Sequence, residues 1–355
     1  MAYSSITKPT DYFNTVLYTG TGSQLAVTGV GFQPDWIWFK NRGTTNSHGL
    51  QDVVRGFNTT GIQSSNGTDA DPAFNGNTLG YVSAVGGDGF TVEAGNCANA
   101  SSNNYVAWNW LAGGSSSSNS DGSITSTVSA NTTAGFSIVK YTGTGSNATV
   151  GHGLGSAPKM VIVKCTSQSD GWFTYNENIG AGNYVRLDQT IASSSASTLW
   201  NSTDSTSSVF SLGTNGGING SSRTYIAYCF AEKKGYSKLG SYTGNGASSP
   251  NEPFVYLGFK PAMIIYKRAS DGTNNWSIFD NKRDPHNEIE KQLNPNLFNA
   301  EGTSSRGDFL SNGWKVGGGN SGSVNNSGST YIYMAFAENP FVANDSGTAV
   351  PVTAR

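Results

Sequence analysis

The sequence predicts an all-β protein made of three tandem β-sandwich, jelly-roll-like domains of one repeat family. Three observations lead there. A set of landmarks recurs three times in the same order, the composition favours strands and turns over helices, and the apolar runs have strand length.

The first landmark is a glycine turn after an aromatic: Tyr18-Thr-Gly-Thr-Gly-Ser23, Tyr141-Thr-Gly-Thr-Gly-Ser146 and Tyr242-Thr-Gly-Asn-Gly-Ala247. The second is a proline leading an apolar run that ends in lysine: Pro34-Asp-Trp-Ile-Trp-Phe-Lys40, Pro158-Lys-Met-Val-Ile-Val-Lys164 and Pro261-Ala-Met-Ile-Ile-Tyr-Lys267. The third is an aromatic terminal strand: Tyr105-Val-Ala-Trp-Asn-Trp110, Tyr225-Ile-Ala-Tyr-Cys-Phe230 and Tyr331-Ile-Tyr-Met-Ala-Phe336. Proline to terminal tyrosine is 71, 67 and 70 residues. Self-similarity at roughly a hundred residues is too long for a solenoid unit and fits an array of whole domains. A softer landmark is a polar residue closing a short strand, Asp52, Asn176 and Asp280. Trp172 and Trp276 stand four residues before it, where the first copy has His48, and Arg55 and Arg283 follow the two aspartates by three.

The composition agrees. Of 355 residues, 46 are Gly and 41 are aromatic (17 Phe, 16 Tyr, 8 Trp), while charged residues make up 12%, about half the usual share. Gly-rich turns with aromatic and β-branched residues read as β structure, and so many aromatics exclude a disordered chain. A net charge of −2 gives no pull towards nucleic acid or an anionic membrane. No apolar run approaches the ~20 residues of a membrane span. The opening segment has neither a basic n-region nor an apolar h-region, so no signal peptide is expected. Cys97, Cys165 and Cys229 show neither a disulfide framework nor zinc spacing; Cys165 and Cys229 read as small core residues, and folding in a reducing cytoplasm is expected.

Element by element, the run Trp36-Ile-Trp-Phe39 is apolar on both faces, which suits a central strand of a two-layer core; its lysine is expected to reach the sheet edge or surface. The terminal strand is similarly dense. About seven to nine strands fit each copy. The one helix candidate is 287–293. The boundaries that follow are repeat 1 at 1–112, a Gly/Ser/Asn linker at 113–121, repeat 2 at 122–234, repeat 3 at 235–341 and a C-terminal tail at 342–355. The short joint after repeat 2 predicts a fixed orientation of repeats 2 and 3, with repeat 1 looser.

Catalysis needs a positioned base, nucleophile or metal. The only histidines are His48, His152 and His286, none in a metal-binding frame, and no nucleophile elbow or phosphate loop is present. The glycine pairs Gly20/Gly22 and Gly143/Gly145 precede no helix and read as hairpin turns. Carboxylate pairs that would suit a glycosidase reduce to Asp69/Asp71, Glu288/Glu290 and Glu301/Asp308, and read as solvated loop charges. No catalytic residues, metal or cofactor are therefore assigned. Binding has a better basis. Aromatic rings beside Asn, Asp and Gly in loops offer a flat apolar face and amides to a sugar. Trp172, Trp200, Trp276 and Trp314, with Asp280 and Arg283, make up the candidate ligand-binding set. Core packing for the tryptophans and a turn-locking ion pair for Asp280/Arg283 are the competing explanations.

Several segments resemble a family of bacteriophage virion proteins abundant in marine phages: Thr10-Asp-Tyr-Phe-Asn-Thr15, Gly29-Val-Gly-Phe-Gln-Pro34, Ser129-Ala-Asn-Thr-Thr-Ala-Gly-Phe-Ser-Ile-Val139, Gly151-His-Gly-Leu-Gly155, Tyr331-Ile-Tyr-Met-Ala-Phe-Ala-Glu-Asn-Pro-Phe341 and Val350-Pro-Val-Thr-Ala-Arg355. The run 331–341 is the most specific. The resemblance covers nearly the whole chain. It implies a structural phage protein on the virion, assembled in the host cytoplasm, and brings no catalytic residues. The expectation is a tail-fibre or receptor-binding component touching host surface glycan. A head decoration or tail adaptor is the alternative, and a glycan depolymerase the second. Partners are expected to be other virion proteins and further copies of the chain, a trimer above all, without nucleic acid or membrane insertion.

Overall fold

The alternation of side chains along a strand decides how this molecule is built. A strand buried on both faces needs two cores, and the computed structural model, which describes residues 4–71, 73–340, 342–345 and 348–351, supplies two for each repeat. Repeat 1 has β1 (Phe13–Thr19), β2 (Leu25–Thr28), β3 (Trp36–Asn41), β4 (Gly49–Asp52), β5 (Val82–Gly86), β6 (Gly89–Val92) and β7 (Asn104–Trp110). They form an inner sheet β1-β7-β3-β4 and an outer sheet β2-β6-β5.

Next come β8 (Ser117–Asn119), β9 (Ser126–Asn131), β10 (Phe136–Thr142), β11 (Ala148–Gly151), β12 (Met160–Cys165), β13 (Trp172–Asn176), β14 (Asn183–Arg186), β15 (Ser194–Ser195), β16 (Val209–Leu212) and β17 (Thr224–Phe230). Repeat 2 repeats the inner order as β10-β17-β12-β13, extended at both ends into eight strands, with an outer pair β11-β16. Repeat 3 uses β18 (Ser237–Thr243), β19 (Phe254–Tyr256), β20 (Phe259–Arg268), β21 (Ser277–Asp280), β22 (Lys291–Gln292), β23 (Gly302–Thr303), β24 (Gly307–Leu310), β25 (Gly313–Val316) and β26 (Thr330–Pro340). Its inner sheet is β18-β26-β20-β21 and its outer sheet β19-β25-β24. The protein is all-β, as the repeat and composition predict.

In each repeat one face of the inner sheet packs on its own outer sheet. Ile37, Phe39 and Ala107 join Val27, Phe90 and Val92; Val161, Val163 and Cys229 join Val150 and Phe210; Ile264, Tyr266 and Ala335 join Val255 and Trp314. The opposite faces all meet in one further core. Trp36, Trp38, Trp108 and Trp110 of repeat 1 share it with Met160, Ile162, Tyr228 and Phe230 of repeat 2 and Met263, Ile265, Met334 and Phe336 of repeat 3. The last aromatic of each terminal strand reaches its centre: the Phe336 ring lies 5.7 Å from Trp110 and 6.1 Å from Phe230. Burying one such side chain stabilises by ~1.5–3 kcal/mol, so the shared core dominates the cohesion between repeats.

Three expectations are corrected here. Repeat 1 is not loosely tethered, because one face of its inner sheet packs into the core it shares with the other two repeats. The tract at 113–121, expected as a flexible or extended linker, is part of the sheet and no linker between separate bodies: β8 pairs with β9, and the Gly114 amide donates to Asp35 at 3.0 Å. The segment 287–293 forms no helix; Ile289 N–H donates instead to Gly307 and β22 pairs with β23. The tail contains an antiparallel hairpin, β27 (Val342–Asp345) with β28 (Thr348–Pro351); its last residues, 352–355, and with them the end of the family-like Val350-to-Arg355 segment, lie outside the described residues, as does Phe341.

The lysines also depart from expectation. Lys40, Lys164 and Lys267 are fully buried. Each ammonium donates to backbone carbonyls: Lys40 to Asn41 (2.5 Å), Lys164 to Cys165 (2.7 Å), Lys267 to Arg268 (2.6 Å). Burial pulls all three pKa values down to about 8.

Candidate functional site

Repeats meet along three seams, and the same bonds recur at each in cyclic order. A backbone amide of one repeat donates to the next: Asp71 to Thr166 O (2.8 Å), Ser193 to Ala269 O (2.7 Å) and Glu301 to Arg42 O (2.8 Å). In return a ring N–H crosses back: Trp172 to Ser64 O (2.8 Å), Trp276 to Arg186 O (2.8 Å) and His48 to Asn294 O (3.1 Å). His48 Nδ1 accepts from the Trp38 indole at 2.9 Å, which fixes the neutral tautomer with its proton on Nε2. These relations make the molecule a pseudo-threefold ring of repeats, closed by the contact of repeat 3 with repeat 1.

The Asp/Arg pairs sit in these seams. Asp280 Oδ1 accepts from the Lys282 and Arg283 amides (3.1 and 2.9 Å), locking the turn, while Oδ2 accepts from Arg283 Nε (2.5 Å) and, across the seam, from the Trp108 indole (3.0 Å). Arg283 donates its remaining N–H groups to Lys291 O, Ile278 O and Glu301. Both partners are buried and fully engaged, so they join repeats and offer no group to a ligand.

The four candidate tryptophans are core residues too. Trp172 and Trp276 lie in the shared core; Trp200 packs edge-on to Tyr175 in the outer core of repeat 2; Trp314 packs edge-on to Tyr242 and donates to Arg306 O at 2.9 Å. A sugar ring needs an exposed aromatic face, and all four are at most 2% exposed. The expected surface platform is not made by these residues. Their loop-like surroundings in sequence hide equivalent strand positions: Trp314 faces Val255 as Phe90 faces Val27 and Phe210 faces Val150.

Two exposed aromatics lie elsewhere, on the outer face of the β19-β25-β24 sheet; a third, Phe298, is 55% exposed in the loop between β22 and β23. Phe254 and Tyr256 are 44% and 53% exposed, whereas Val255 between them is buried. Strand alternation puts Phe254, Lys315 and Asp308 in one row across three strands, and Tyr256, Gly313 and Leu310 in the next. Gly313 gives the Phe254 ring its seat, since a Cβ there would lie 2.8 Å from Phe254 Cζ and 2.3 Å from Val255 O. Lys315 donates to Pro250 O at 2.8 Å and to Glu252 O, holding the preceding turn. Burial, followed by the charges of Glu288 and Glu252, raises the Asp308 pKa. Tyr256 also lines a groove of about 460 Å³ together with Ser237, Lys238 and Glu232.

This face is particular to repeat 3. Phe254 and Tyr256 correspond to Ala26 and Thr28 in repeat 1 and to Thr149 and Gly151 in repeat 2. Aligning the copies around Val27, Val150 and Val255 exposes the substitution in sequence; the landmarks alone pass over it. Chemically, the face offers an apolar platform with an amine and carboxyl alongside, suited to holding a polyhydroxylated ligand. Among the described residues no group of three or more His, Cys, Asp or Glu is placed to hold a metal ion. His152 is buried and engaged: its Nδ1 accepts from Leu154 N–H and its Nε2 donates to Thr206 O.

The fold and its seams define a class: an all-β protein in which three repeats of like strand order close around one shared core. The chain belongs to the family described as a domain of unknown function, DUF7483, whose model matches residues 8–340. That match runs through all three repeats as one unit, in keeping with the shared core. Comparison with curated proteins and with solved structures returned no match.

Proposed function

We propose that the chain is a non-enzymatic bacteriophage virion protein, a tail-fibre or receptor-binding component that contacts host surface glycan through the outer face of repeat 3. Its partners on this reading are other virion proteins, and its place is the exposed surface of the particle. The observation that carries the glycan contact is the pair Phe254 and Tyr256. Two large rings stand exposed at alternate positions of one strand, beside Lys315 and Asp308, where the other repeats have small residues. In the finer fold reading, each repeat is a jelly-roll-like β-sandwich descended from one ancestor.

The purified chain is expected to adsorb to host cells and to compete with phage infection. Phe254→Ala/Tyr256→Ala is expected to abolish both while the chain still melts as a folded protein, since neither ring belongs to the cores. Unchanged adsorption by the double variant would remove the assignment.

A purely structural role, as a head decoration or tail adaptor, draws on a different observation. The internal threefold already gives one chain the symmetry that a trimer of chains would provide. Native mass in solution decides between one chain and three. The depolymerase reading draws on the raised Asp308 carboxyl beside Glu288 and Glu252; release of reducing ends from host glycan, lost in Asp308→Asn, would favour it over binding alone.

A further inference from the structure

We propose that the cleft between repeats 1 and 2 binds the guanidinium group of an arginine supplied by another molecule. The pseudo-threefold relation carries this inference, independently of the virion reading. At the seam between repeats 3 and 1, Glu301 accepts a bidentate pair from Arg42, at 2.9 Å from Nε and 2.8 Å from Nη2, and a further bond from Arg283 Nη1 at 3.2 Å. The Glu301 amide meanwhile donates to Arg42 O.

The seam between repeats 1 and 2 has the same frame. Asp71 stands where Glu301 does: its amide donates to Thr166 O at 2.8 Å, and its Oδ1 accepts from Arg55 Nη1 at 3.3 Å and from the side-chain amide of Gln63 in its own repeat. Thr166 stands where Arg42 does, each eight residues after its landmark proline. A threonine cannot fill the place of an arginine, and the Thr166 hydroxyl is turned to Thr224, 2.9 Å away. What remains is a cleft of about 390 Å³ lined by Arg55, Asp71 and Thr166, the three counterparts of Arg283, Glu301 and Arg42. Among the described residues Asp71 Oδ2 takes no hydrogen bond, whereas both Glu301 oxygens are used. The third seam, with Ser193 and Ala269, has neither the acid nor the arginine.

The geometry that Arg42 satisfies is a planar fork, so a guanidinium matches it and an ammonium does not. Lys140 lines the same cleft from an exposed position. It disfavours a bare cation and favours one accompanied by an acceptor: the carboxylate of free arginine, or a backbone carbonyl if the arginine belongs to a protein.

Titration calorimetry on the full chain tests this with L-arginine, a capped Gly-Arg-Gly tripeptide and L-lysine. Arginine is expected to bind at least about tenfold more tightly than lysine. Asp71→Asn is expected to lose that binding, and Thr166→Arg to lose it by filling the cleft from within while raising Tm. Tighter binding of the tripeptide than of free arginine assigns the arginine to a protein partner; the reverse assigns it to the free amino acid. Equal heats for arginine and lysine, or undiminished binding by folded Asp71→Asn, would overturn the site, and that arm decides even if Thr166→Arg fails to fold.

Discussion

The Tyr228 hydroxyl of repeat 2 donates to Asp52 Oδ2 of repeat 1 at 2.8 Å. The Trp108 indole of repeat 1 does the same for Asp280 of repeat 3 at 3.0 Å. At the third seam the equivalent residues are Asn176 and Met334: the acid has become an amide, and the residue opposite has lost its donor. Acceptor charge and donor change together, which explains why the middle repeat lacks the Asp/Arg turn. A buried carboxylate is tolerable only where charge and hydrogen bonds surround it.

Tyr228→Phe therefore leaves Asp52 with its Arg55 and turn partners but removes both inter-repeat bonds of the hydroxyl, the one it donates to Asp52 and the one it accepts from Arg55 Nη2 at 3.2 Å. A hydrogen bond to a charged acceptor contributes about 1.5–3 kcal/mol, and a loss of that size is expected. Urea unfolding checks it, with a lower midpoint at unchanged m-value.

Acid is expected to destabilise the protein from about pH 6.5 downwards. Burial holds the pKa of His48 well below its ordinary value, helped by the charges of Lys40 and Arg283, and burial also lowers that of His152. Below ~6.5 the unfolded chain takes up protons that the folded chain refuses, so stability falls with pH. In repeats 2 and 3 the pair Trp38/His48 is replaced by Ile162/Trp172 and Ile265/Trp276, a swap of large and small across one contact. The double variant Trp38→Ile/His48→Trp is expected to fold and to lose part of this acid sensitivity, read as Tm against pH.

The buried lysines give the opposite end of the pH scale. Lys164 titrates near pH 8 in the folded protein and near 10.4 unfolded. Between these values the unfolded chain binds the extra proton, so this residue's contribution to stability rises with pH. Relative to Lys164→Met, the wild type is expected to gain about 3 kcal/mol from pH 8 to 10.5, since each pH unit between the two pKa values contributes about 1.4 kcal/mol. A difference that stays flat across that range would place the ammonium in water.

Much of this architecture is legible in the sequence. The three landmarks mark the inner-sheet strands β3, β7 and their counterparts, and the strand-rich composition sets the class. The shared core is not legible. Trp36 to Phe39 announces a strand buried on both faces, but periodicity cannot say whether its second face is covered by its own repeat or by another. The lysine six residues after the proline looks like a strand end reaching water; it is buried because the turn after the strand, or the neighbouring repeat, closes over it with carbonyls, as Thr68 O does for Lys164 at 3.3 Å. The burial of Trp172, Trp200, Trp276 and Trp314 is hidden in the sequence for a related reason. Polar neighbours in sequence say little about where a strand residue points, and Trp314 points inward while Phe254, across the same sheet, points out.

The central claim is that the three repeats fold as one unit around a common core. Differential scanning calorimetry tests it most directly. One transition is expected, with calorimetric and van't Hoff enthalpies equal, and a chain cut to residues 122–340 is expected to lose that transition, because removing repeat 1 uncovers Tyr228, Phe230, Met334 and Phe336. Separate transitions for the repeats, or an undisturbed melt of 122–340, would contradict it.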